Sequence, residues 1–140
     1  MTNKLSLAKL EKFAKNKLDA HRFPNDRYTF RPAHCANCGV MPVTLEIEHH
    51  TGSSKDNFRG IIRATCSNCG DQFRFLSFTG EHRKPEFVES PKCVCGNVVF
   101  LTAESERYEG DDGLPGFFDE GVVAGQCAEC GRHQLIISTD

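Results

Sequence analysis

Cys35-Ala36-Asn37-Cys38-Gly39, then 27 residues counted from Cys38, then Cys66-Ser67-Asn68-Cys69-Gly70: the stretch 35–70 decides how this chain folds. Two Cys-x-x-Cys-Gly turns at that separation place four thiolates at the corners of one tetrahedron. Soft sulfur ligands select zinc, or iron, over hard cations, and a closed four-sulfur shell has no open position for a substrate.

The pattern recurs in altered form as Cys93-Val94-Cys95-Gly96, an insert of 31 residues, and Cys127-Ala128-Glu129-Cys130-Gly131. All eight cysteines are used. The repeats are offset by 58 residues at the first cysteine and 61 at the third. The shorter Cys93-x-Cys95 knuckle and a longer hairpin absorb the difference, as expected of an internal duplication.

At 140 residues there is room for one ordinary domain or two very small ones, and the paired cysteine sets favour two. Units of about 50 residues bury too little apolar surface to stand alone, so metal or disulfides must make up the deficit. The first residues carry lysine every few positions and no long apolar run. That is neither an export signal nor a membrane span. The expected compartment is therefore cytoplasmic and reducing, with thiols free for metal.

The net charge of −2 hides an asymmetry. Residues 1–34 balance at +5, residues 35–84 at +1 and residues 85–140 at −8. Each zinc held by four thiolates adds a further −2 to its site.

Residues 6–19 predict a helix, with Leu7, Leu10, Ala14 and Leu18 on one side, Phe13 at its edge and Lys4, Lys9, Lys12 and Lys15 opposite. Such a helix either lies on the body of the protein or docks on a partner. Residues 21–34 read as an extended connector, because Pro24, Pro32 and Asn25-Asp26 oppose helix. There Arg22, Arg27 and Arg31 alternate with Phe23, Tyr28 and Phe30. Cations interleaved with rings fit single-stranded nucleic acid. The alternative, and the expectation, is that the rings pack under the first metal site to complete a small core.

After the first knuckle, Val43, Leu45 and Ile47 alternate with Thr44, Glu46 and Glu48, a strand with one buried face. A polar turn at 51–57, a strand at 58–65 and a third at 72–78 follow. Residues 79–92, with Gly80, Pro85 and Pro91, read as a hinge. The order then repeats: a strand at 97–103, a long acidic excursion at 104–120, a strand at 121–126 and a last one at 133–138.

On these knuckles the chain resembles the zinc-ribbon (rubredoxin-like) superfamily over residues 35–78 and 93–138. The resemblance implies a small, metal-stabilised, mainly β fold: two tandem three-stranded zinc ribbons, 35–84 and 85–140, preceded by a basic helix and connector at 1–34. It implies one zinc at Cys35, Cys38, Cys66 and Cys69, and a second at Cys93, Cys95, Cys127 and Cys130. Gly39, Gly70, Gly96 and Gly131 sit where each knuckle turns back with positive φ, directing backbone N–H groups at sulfur.

The spacing also resembles rubredoxin, an iron electron carrier, but the chain has no tryptophan, no proline inside a knuckle and one shortened knuckle. Zinc is therefore expected at both sites. Tandem ribbons with an acidic hairpin are similar to transcript-cleavage subunits of RNA polymerase. Asp111-Asp112 and Asp119-Glu120 are present without the surrounding motif, so that function is not carried over.

His34, His49-His50 and His133 are not needed as ligands and are expected beside the sites or facing solvent. No Ser-His-Asp order, phosphate loop or deaminase pairing is present, so no catalysis is expected. The expected role is that of an accessory subunit or adaptor meeting a protein partner through the N-terminal helix or the acidic second ribbon. Nucleic-acid binding through the first 34 residues is the alternative, a rubredoxin-like electron carrier the third reading. No membrane contact is expected.

Overall fold

The computed structural model describes residues 5–18, 27–78, 83–111 and 114–139, with the backbone alone at 109–111 and 114–119. Arg22, Phe23, Pro24 and the Asn25-Asp26 turn lie outside the described residues. So do Gly80 and the side chains of Asp111, Asp112 and Asp119.

Among the described residues a helix, α1 (Leu7–Lys17), precedes ten strands: β1 (Arg27–Pro32), β2 (His34–Cys35), β3 (Gly39–Val40), β4 (Val43–His50), β5 (Gly60–Cys66), β6 (Gln72–Phe78), β7 (Pro85–Glu89), β8 (Val99–Asp111), β9 (Leu114–Cys127) and β10 (His133–Thr139). The fold is mainly β, as the sequence implies. Each expected ribbon is there as three antiparallel strands, β4-β5-β6 and β8-β9-β10.

The two ribbons are joined edge to edge. Val43 pairs with Phe100 and Thr44 with Val99, so β4 and β8 belong to one sheet with the order β10-β9-β8-β4-β5-β6. Past that contact the strands part. β7 takes the vacated edge of β4, and β1 that of β8, pairing Arg27 through Pro32 with Tyr108 back to Ala103.

The two ribbons share a register. Val43 lies opposite Cys66 and Phe100 opposite Cys127, and each stands five residues after its knuckle's second cysteine. The inward residues of the first ribbon, Val43, Leu45, Ile47, Ile62, Ala64 and Phe75, pack against Val123, Ile136 and Ile137 of the second. One apolar core thus lies between the ribbons. Burying a side chain such as Ile47 or Ile137 contributes about 1.5–3 kcal/mol each, which a lone ribbon face would forgo.

The outer face of the second ribbon is covered by α1. Ser6 caps the helix, its hydroxyl accepting from the Lys9 N–H at 3.2 Å. Leu10, Ala14 and Leu18 are fully buried against Leu101, Ala103, Val122 and Ala124. The helix is the expected one, two residues shorter at its C-terminal end and with Leu7 left exposed.

Three local expectations need correction. Residues 27–32 are a strand, and Tyr28 and Phe30 pack with α1 on the second ribbon, not under the first metal site. The alternation of exposed Arg27, Thr29 and Arg31 with half-buried Tyr28, Phe30 and Pro32 is the signal that the prolines masked. Residues 85–89, placed in a hinge, are a strand hydrogen-bonded along β4. The acidic excursion at 104–120 continues β8 and β9 as a long hairpin whose pairing runs from Phe100–Cys127 to Asp111–Leu114. Among the described residues no helix is long and apolar enough to cross a membrane.

Candidate metal centres

Each four-cysteine set comes together as its spacing predicts. The Sγ atoms of Cys35, Cys38, Cys66 and Cys69 lie within 4.8 Å of one another, and so do those of Cys93, Cys95, Cys127 and Cys130. Separations of 3.5 Å (Cys35–Cys69), 3.5 Å (Cys93–Cys130) and 3.6 Å (Cys95–Cys127) are too long for a disulfide of about 2.05 Å. They approach the roughly 3.8 Å edge of a tetrahedron with metal–sulfur bonds near 2.3 Å. All eight cysteines are free. The donor sets therefore fit a thiolate-bound metal, and zinc held there would tie the two knuckles of each ribbon together.

The backbone is turned to favour thiolate. Gly39, Gly70, Gly96 and Gly131 adopt φ of 80°, 81°, 96° and 80°, the left-handed conformation that reverses the chain after the second ligand. Glu129 and Cys130 N–H groups both donate to Cys127 Sγ at 3.4 Å. Asparagine amides add to this: Asn68 Nδ2 donates to Cys38 Sγ and Asn97 Nδ2 to Cys127 Sγ, each at 3.3 Å.

The electrostatic result is uneven ionisation. The Cys69 N–H and further donors, against burial, bring Cys66 down to about 7. Burial opposes charge at Cys127, yet the Cys130 N–H, the Asn97 amide and the Glu129 N–H bring it to about 6. The partner thiols move the other way. Cys95 accepts from the Asn97 N–H, but burial and the neighbouring sulfurs push it up to about 12, and Cys35 is raised for like reasons despite the Asn37 N–H. Four crowded thiols cannot all ionise unaided. A dication removes that restriction and is what the set is built to receive.

The second centre is tied to the helix. Gln126, buried on β9, accepts from the Ser6 N–H at 2.8 Å and donates to Gly131 O at 3.2 Å. Phe13 stacks on His133 at 5.3 Å between ring centroids. Burial and nearby Lys9 hold the His133 imidazole below its usual range.

His34 faces solvent as expected, but His49 and His50 are not where the sequence placed them. His49 and His50 are buried, away from both sulfur sets. His49 bridges Ser53 Oγ at 2.7 Å and Glu89 Oε1 at 2.9 Å, and stacks on Phe87 at 4.4 Å. His50 Nε2 meets Glu48 Oε2 at 2.7 Å. These contacts fasten the 51–57 turn and β7 to β4. His34 is exposed.

The arginine–aromatic segment is also committed internally. Arg31 donates to Glu104 Oε1 at 2.6 Å and to Phe75 O at 2.7 Å, its guanidinium 4.8 Å from the Phe75 ring centre. It thereby joins the two ribbons. Nothing in the composition of residues 27–32 announces this, because the partners lie 44 and 73 residues away.

Compared with known family models, curated proteins and solved structures, the chain matches none.

Proposed function

We propose that this is a non-catalytic double zinc-ribbon protein, holding two zinc ions and acting as an accessory subunit or adaptor in a larger protein assembly. The observation that carries the reading is the pair of four-sulfur sets, which fill a tetrahedral shell and leave no site on the metal for a substrate. Zinc here is a cross-link, supplying folding energy to ribbons too small to hold their own knuckles.

The adaptor role draws support from charge and from which surfaces remain open. The apolar side of α1 is spent on the protein's own sheet, while Lys9 and Lys12 stay exposed on the other side. With the acidic 85–140 stretch, this gives a polarised molecule that orients on a charged partner. Against the nucleic-acid reading stand Arg31, held by Glu104 and Phe75, and Tyr28 and Phe30, packed against the sheet.

The test is purification of a tagged copy from its native cell, alongside a Lys9→Glu, Lys12→Glu variant. A protein recovered in fixed proportion with the first and lost from the second, both loaded with zinc, is the expected result. Recovery of nucleic acid in its place would move the reading to the alternative.

A further inference from the structure

Strand alternation places Glu104 and Glu106 of β8 on the side that faces the first ribbon. Their counterparts in the repeat, Ile47 and His49, are both 1% exposed. Two carboxylates thus occupy positions that the duplicated half fills with a buried aliphatic and a buried ring. Placing charge there is costly, and departures of this kind from a chain's own pattern mark functional positions.

The ribbons leave a cleft of about 220 Å³ around this pair. The half-buried Leu76 and Phe78 of β6 form its apolar wall, and the buried Val123 of β9 and Ile137 of β10 lie at its floor. Each carboxylate is held by one oxygen. Arg31 Nε donates to Glu104 Oε1, and the Tyr108 hydroxyl donates to Glu106 Oε2. Among the described contacts nothing donates to Glu104 Oε2 or Glu106 Oε1, although Glu104 is only 9% exposed. The Glu106 carboxylate and burial push the Tyr108 phenol up to about 12, so it remains a donor. Arg31 balances one of the two carboxylates and one negative charge remains. Arg59 stacks on Phe78 at 4.6 Å but does not line the cleft.

We propose that this cleft binds a small organic monocation, an ammonium group on an apolar body. The ammonium would lie between the free oxygens of Glu104 and Glu106, the body against the half-buried Leu76 and Phe78, with Val123 and Ile137 directly behind the site. The volume is below the roughly 300–1,000 Å³ of sites for drug-sized ligands, which limits the body to about one ring or a short chain. A hard metal ion fits poorly, since it takes about six or more oxygens and one wall offers none.

The test titrates phenethylammonium, phenethyl methyl ether and 3-phenylpropionate into the full chain as purified with its metal, read by the methyl NMR signals of Val123 and Ile137. Saturable shifts with the ammonium alone are expected, and Glu106→Gln should weaken binding about ten- to hundred-fold, as loss of a charge-assisted hydrogen bond does. Glu106→Gln is the deciding variant, because Glu104→Gln also frees Arg31 and disturbs the fold. The proposal is overturned if the ammonium gives no saturable shift, if the ether binds as well, or if Glu106→Gln binds like the parent.

Discussion

Val43, five residues past one knuckle, pairs across the sheet with Phe100, five residues past the other. Both are fully buried. The contact makes the first strand of each ribbon the neighbour of the other. Beyond it the inward faces close on one core, so the ribbons are linked by backbone pairing and by packing.

Removing one thiol should therefore be felt across the joint. Cys66→Ala is expected to disorder the first ribbon and to broaden NMR signals of Val123 and Ile137 in the second, because their packing partners go with it. Apparent binding free energies for structural zinc are on the order of 10 kcal/mol, enough to decide folding of the unit. An unchanged second ribbon would show that its own core suffices.

Ile137→Ala tests the same coupling from the other side. The side chain is fully buried, and the deletion should cost about 2–5 kcal/mol in a denaturant titration. It should also speed zinc loss to a chelator from the first site, although residue 137 lies in the second ribbon. A normal rate of loss there would mean that the shared core does not support the first knuckles.

The arginine–aromatic strand gives a third prediction. Phe30→Ala, at a half-buried position on β1, should lower stability by about 1–3 kcal/mol, less than the 3–5 kcal/mol of a fully buried phenylalanine. Binding to single-stranded RNA at roughly 150 mM salt should be absent in both parent and variant. Micromolar binding lost on changing Arg27 and Arg31 together would contradict the internal role assigned to this strand.

Acid should act through Glu48. The hydrogen bond from His50, reinforced by Arg63 at 3.4 Å, holds its carboxyl below the ordinary carboxylate range. A carboxyl lowered in the folded state stabilises at pH above its unfolded value, near 4.3, and loses that contribution as pH falls through the folded value. Glu48→Gln should thus lie closest to the parent in stability at the acid end and furthest from it above pH 5 or so. A gap that does not narrow on acidification would remove Glu48 from the account.

The parts of this fold that could be read from the chain are those governed by local spacing. The knuckles, their glycines and the alternation of Val43, Leu45 and Ile47 each state their structure within ten residues. What escaped was tertiary. Pro85 to Glu89 is too short and too close to Pro91 to read as a strand, and it becomes one only because β4 offers an edge. Tyr28 and Phe30 carry a period of two that the flanking prolines obscured. The inward aim of Glu104 follows from the pairing of β8 with β9, which an acidic, glycine-rich stretch gives no reason to expect. His49 and His50 are buried because Ser53, Glu89 and Glu48 provide partners, and only the folded chain brings those together.

The central claim, two four-sulfur zinc centres on one shared core, is tested most directly by elemental analysis of the purified chain together with its visible spectrum. Two zinc ions per chain and a colourless solution are the predicted result. One metal per chain or none, or iron with the red colour of sulfur-to-iron charge transfer, would contradict it.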